Sequence, residues 1–102
     1  MLHHYTDEVG KSAIMRTGYL LPGIDGRLYL TAESISSAAE AQARLALSRR
    51  PSGYFEISEL LVNDIGHPDP VPPKYGQPGG GQEQFVTRAI AATELSWIEL
   101  PQ

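Results

Sequence analysis

A mixed α+β sheet with two helices is the fold class this sequence predicts, and three observations point to it. Two segments carry helical signals, one from Asp7 to Gly18 and one from Ser34 to Leu47. The order along the chain runs strand, helix, strand, helix, and then strands that follow one another without helices between them. The length of 102 residues allows one modest core with a cleft beside it, so residues 1–102 are expected to form a single domain.

Leu2 to Tyr5 is the first expected strand. Thr6 or Asp7 then caps a helix whose acidic start suits the positive end of the helix dipole. Val9, Ala13 and Ile14 fall at helical spacing, and Gly18 is a natural stop. Tyr19-Leu20-Leu21 is a short extended piece ended by Pro22-Gly23, and "GIDG" is a turn. "RLYLT", residues 27–31, alternates and is β-prone. "SISSAAEAQARLAL", residues 34–47, is alanine-rich, with serines at its start to cap it. Pro51-Ser52-Gly53 breaks the chain, and "GYFEISELLV" follows as a strand, most strongly over Tyr54 to Ile57. Residues 63–83 hold most of the prolines and form a long loop, a kind of segment that is often functional. "QFVTRAIA" and "LSWIEL" are the closing strands.

Composition excludes several chemistries. The net charge is −4, and no block of lysine and arginine marks a nucleic-acid surface. The absence of cysteine removes disulfides, thiolate nucleophiles and cysteine metal sites. No apolar run approaches the ~18 residues of a membrane span, and no signal peptide is visible. The three histidines, at 3, 4 and 67, lack metal-ligand spacing, so no metal site is expected. The triple glycine is not followed by lysine and a helix, and no "GxSxG" occurs, which argues against a phosphate loop and a serine hydrolase.

Three stretches carry candidate chemistry. In "LHHYT" the neighbours His3 and His4 point to opposite strand faces, so only one is expected to face a given cleft. In "GRLYLT", Tyr29 offers an aromatic platform with a polar tip. In "GGGQEQFVT" the glycines let a ligand come close to backbone. Gln82 and Gln84 there share one strand face, with Glu83 on the other.

Together these segments resemble the ADP-ribosyltransferase-like fold in its His–Tyr–Glu branch, which holds diphtheria toxin, the poly(ADP-ribose) polymerases and small bacterial polymorphic-toxin domains. The family opens on a strand of type "L-x-H-x-T", here "LHHYT", with His4 on the motif histidine. A glycine-ended helix follows, here "VGKSAIMRTG". A "G-x-x-Y-[FL]-[AST]" strand, here "GRLYLT", leads into a serine- and alanine-rich helix, and "YFEIS" matches the central strand. The third motif departs: where the family has a glutamate before "[FWY]-V-T", this chain has Gln84, with Glu83 beside it. The "GQPGGG" loop before it is also similar to that of toxin NAD glycohydrolases of related fold.

The resemblance implies a split sheet with an NAD cleft between its halves. It implies that His4 holds the adenosine-ribose hydroxyl and Tyr29 stacks on nicotinamide. Gln84, or else Glu83, would bond the nicotinamide ribose. Tyr5, Thr6, Gly26, Arg27 and Gln82 complete the implied NAD-binding set, with Arg16 or Arg27 toward the pyrophosphate. The implied activity is NAD consumption by a toxin domain, through transfer of ADP-ribose to a target macromolecule or through NAD hydrolysis. A phosphate-removing transferase acting on RNA would want a basic surface that is missing. A catalytically inactive ligand-binding or interaction domain is the alternative from another class. The same resemblance implies a cognate immunity protein and action in a target-cell cytoplasm after delivery.

Overall fold

The computed structural model describes residues 1–102. The chain runs β1 (Leu2–Thr6), α1 (Glu8–Thr17), β2 (Tyr19–Leu20), β3 (Leu28–Leu30), α2 (Ala38–Arg44), β4 (Gly53–Ile57), β5 (Asp69–Pro70), β6 (Gln82–Val86), β7 (Ile90–Ala91) and β8 (Ser96–Glu99). Single 3₁₀ turns follow β4 and β7. The fold is α+β, with three sheets ordered β1-β4-β8, β2-β7 and β3-β6-β5. The first and third touch through one antiparallel bridge, His3 to Thr31, beyond which β1 and β3 part.

Every ladder is antiparallel, which corrects the expectation of a mixed sheet. A parallel pair needs a crossover that returns the chain to a neighbouring strand of the same sheet. Neither helix does this. The first carries the chain from β1 to β2, which pairs with β7, and the second carries it from β3 to β4, which pairs with β1.

The first helix matches its sequence signals. Asp7 caps it by accepting the Gly10 N–H at 2.9 Å, and Gly18 ends it in the left-handed region at φ 82° with its N–H on the Ile14 carbonyl. The second is shorter than "SISSAAEAQARLAL" suggested, because Ser37 is the residue that caps it, accepting the Glu40 N–H at 3.2 Å. The preceding segment stays extended. Its Ile35 is buried and gives its N–H to the Tyr5 hydroxyl at 2.9 Å. Serine readily trades helix for local hydrogen bonds, so a serine-rich run marks a cap more surely than it fixes which serine serves.

"QFVTRAIA" is also two strands, β6 and β7, rather than one. Arg88 between them turns out to the Asp64 carboxylate at 2.7 and 2.9 Å and to the Leu61 carbonyl at 2.7 Å. Inside the long loop, Asp69 and Pro70 form the edge strand β5 against β6, a place where proline's missing N–H costs nothing.

Leu2, Phe55 and Ile57 from the first sheet meet Leu28, Leu30 and Val86 from the third in one apolar cluster. Each such buried side chain contributes roughly 1.5–3 kcal/mol. A second cluster of Tyr5, Ile35, Ala41 and Leu100 seats α2 on the opposite face of β1. No helix is long and apolar enough to cross a membrane.

Candidate cleft between the half-sheets

Where β1 and β3 part, a cleft of about 310 Å³ opens, lined by Tyr5, His4, Arg27, Tyr29, Glu83 and the apolar Leu45 and Leu47, among others. Pairing decides what faces it. Tyr29 lies opposite Phe85 in the β3–β6 ladder, so both share a face, and Glu83, two residues before Phe85, lies on that face too. Gln84 pairs with Leu30 on the core side, and its amide Nε2 donates to the Gly66 carbonyl at 2.9 Å. Glu83 is therefore the member of the pair that lines the cleft, and Gln84 does not reach it.

His4 sits at the parting. Its Nδ1 lies 3.1 Å from the carbonyl of Tyr29, so Nδ1 carries the proton and donates. Burial holds its pKa below the ordinary value, with the Tyr29 carbonyl acting in the opposite direction. The ring is then neutral at pH 7, and Nε2 keeps a lone pair for a hydroxyl donor. His4 also lines a second hollow of about 210 Å³ under α1, shared with Thr6, Ala13 and Tyr19.

His3 lines the cleft as well, against the expectation that only one histidine would. Its ring packs on Tyr54 at 4.7 Å and edge-on to Tyr5 at 6.0 Å, and its Nδ1–H donates to the Glu33 carbonyl at 2.8 Å. It is only 4% exposed, and these contacts make it a wall. Alternation sets only the direction of each Cα–Cβ bond, and where two strands part both neighbours border the gap.

The Tyr29 hydroxyl donates to Asp25 Oδ2 at 2.9 Å. Asp25 is held below its ordinary pKa first by the Arg27 backbone N–H and then by this phenol. The Arg27 guanidinium stacks 4.4 Å above the Phe85 ring, which lies edge-on to Tyr29. Glu83 is pushed up by burial, with Lys74 opposing and Asp69 and Asp25 adding to the rise. A third hollow, about 260 Å³, shares Tyr29 and Glu83 with the cleft and is bounded by Asp25, Pro72, Lys74 and Tyr75.

Of the remaining candidates Tyr5 belongs to the cleft wall, and the others fall outside the cleft. The Tyr5 phenol donates to the Glu33 carbonyl at 3.1 Å and accepts from Ile35 N–H, so it anchors the wall. Gly26 lies in the turn before β3, giving its N–H to the Gly23 carbonyl at 3.0 Å, and Gln82 exposes its side chain; neither lines the cleft. The glycine loop docks on protein. Gly79 and Gly81 give their N–H groups to the Ala43 and Arg44 carbonyls, each at 2.9 Å, satisfying the end of α2. Sequence reading passed over Asp25, Leu45 and Leu47; the signal for Asp25 was its place four residues before Tyr29 in a turn. Compared with known proteins, the chain matches no family model, no curated protein and no solved structure.

Proposed function

We propose that this domain cleaves NAD at the bond between nicotinamide and its ribose and passes the ADP-ribose on. The observation that carries the reading is the convergence of a neutral histidine, a tyrosine ring and a carboxylate of raised pKa on one cleft between two half-sheets. That set matches the chemistry. The bond electrons leave with the nicotinamide nitrogen, which becomes neutral, while positive charge grows on the ribose. A fixed carboxylate beside the forming cation stabilises it more than an amide does. Glu83 takes this part in place of Gln84. Tyr29, its hydroxyl held by Asp25, gives nicotinamide a ring to stack on. His4 Nε2 accepts from a ribose hydroxyl, and the hollow under α1 receives the adenosine end. Arg27 lies on the wall for the pyrophosphate.

The 260 Å³ hollow favours transfer over hydrolysis, because it gives an acceptor larger than water a way to Tyr29 and Glu83. A toxin role would bring a dedicated inhibitor, testable as growth arrest on expression that a neighbouring gene product relieves. The direct test incubates the domain with NAD, with and without cell lysate, and measures free nicotinamide. Nicotinamide with ADP-ribose on macromolecules supports transfer, and free ADP-ribose supports hydrolysis. No nicotinamide under either condition leaves a binding module.

A further inference from the structure

One residue outside the cleft lining spans the split. The Glu33 carbonyl accepts the His3 Nδ1–H at 2.8 Å and the Tyr5 O–H at 3.1 Å, both from β1. Its carboxylate faces the other half. There Oε2 accepts the backbone N–H of Gln82, the first residue of β6, at 3.0 Å, and Oε1 pairs with Arg44 at the end of α2. Its own N–H is held by Thr31 Oγ1 at 3.1 Å. Gly81 permits the approach, since a Cβ there would stand 2.6 Å from Oε2 and 2.9 Å from the Arg44 carbonyl. A carboxylate suits the junction because hydrogen bonds to a charged acceptor are about twice as strong as neutral ones. The residue it fixes, Gln82, is bonded directly to Glu83.

We infer that Glu33 is a positioning residue of the cleft. It ties the strand that carries His4 to the start of the strand that carries Glu83, and so sets where the Glu83 carboxylate stands against the reacting ribose. The inference rests on the NAD-cleaving reading. A displacement of about 1 Å at such a site costs on the order of a hundredfold in rate. The effect falls on the chemical step more than on NAD binding, since His4 and Tyr29 keep their places through the β1–β3 bridge.

The experiment measures kcat and KM for nicotinamide release by Glu33→Ala, Glu33→Gln and Arg44→Met. Each is made alone and combined with Glu83→Gln, and assayed below its melting midpoint by circular dichroism. Glu33→Ala is expected to lower kcat by about 10- to 100-fold, with KM for NAD far less changed. Glu33→Gln, which keeps an oxygen for the Gln82 N–H, is expected to recover part of that loss. Loss in the Glu83→Gln background is expected to vanish, because Glu33 acts through Glu83. Folded Glu33→Ala with wild-type kcat, or equal losses in both backgrounds, overturns the proposal. If Glu33→Ala does not fold, Arg44→Met decides in its stead, with a several-fold kcat loss expected and wild-type kcat overturning. A wild-type chain that releases no nicotinamide removes the NAD reading and this role with it. Active wild type with unaffected variants removes this role alone.

Discussion

His4 and Glu83 differ from ordinary titrating groups in opposite directions, and the proposed NAD cleavage needs the first neutral and the second charged. His4 sits below its ordinary 6.5 because burial disfavours the imidazolium. Glu83 sits above its ordinary 4.5 because burial disfavours the carboxylate. Both required forms are lost on the acid side, so kcat/KM for NAD is expected to fall as pH drops, His4 losing its neutral form below 6.5 and Glu83 losing its charge at a pH above 4.5. A profile still rising from pH 7 to 8 would assign catalysis to other groups. For stability the two signs separate. A histidine depressed in the fold favours unfolding as pH drops through 6.5, since the unfolded chain takes the proton first. A glutamate raised in the fold costs stability once pH rises through 4.5 toward its folded value. Glu83→Gln is therefore expected to match or exceed the wild-type melting temperature at pH 7 while losing activity; a clear drop in melting temperature would mean the carboxylate is a structural partner. His4→Ala is expected to lower kcat/KM for NAD by the equivalent of roughly 1–3 kcal/mol, the cost of a lost buried hydrogen bond.

Among the elements, the glycine loop carries the clearest test. Gly79 lies at φ 69°, and a Cβ there would stand 2.4 Å from the Val71 carbonyl. Gly79→Ala is expected to destabilise by about 1–3 kcal/mol in denaturant titration, because strain and clash act together. An unchanged midpoint would mean that Gly79 is not packed against Val71 and Pro72. This is also where sequence reading reached its limit. "GGG" signals close approach of backbone to something, but whether that something is a ligand or the end of α2 depends on where α2 stops. The stop is set by docking, with Ala43 and Arg44 handing their carbonyls to Gly79 and Gly81. Asp7 and Gly18 fixed the first helix from local chemistry alone, and its bounds were legible for that reason.

At the scale of the molecule, the α+β class was legible because periodicity and element order are local. Strand direction was not, since antiparallel pairing of β1 with β4 joins residues some fifty positions apart. The same holds for the cleft. Alternation separates Glu83 from Gln84, but only the pairing of Tyr29 with Phe85 says which of them shares the tyrosine's face. The most direct measurement follows from that register: the rate of nicotinamide release from NAD by the wild type, Glu83→Gln and Gln84→Ala, side by side. Release by the wild type, a loss of about 100-fold or more in Glu83→Gln, and a rate near wild type in Gln84→Ala are the expected results. Loss in Gln84→Ala with Glu83→Gln active, or no release by any of the three, would contradict a cleft that cleaves NAD with Glu83.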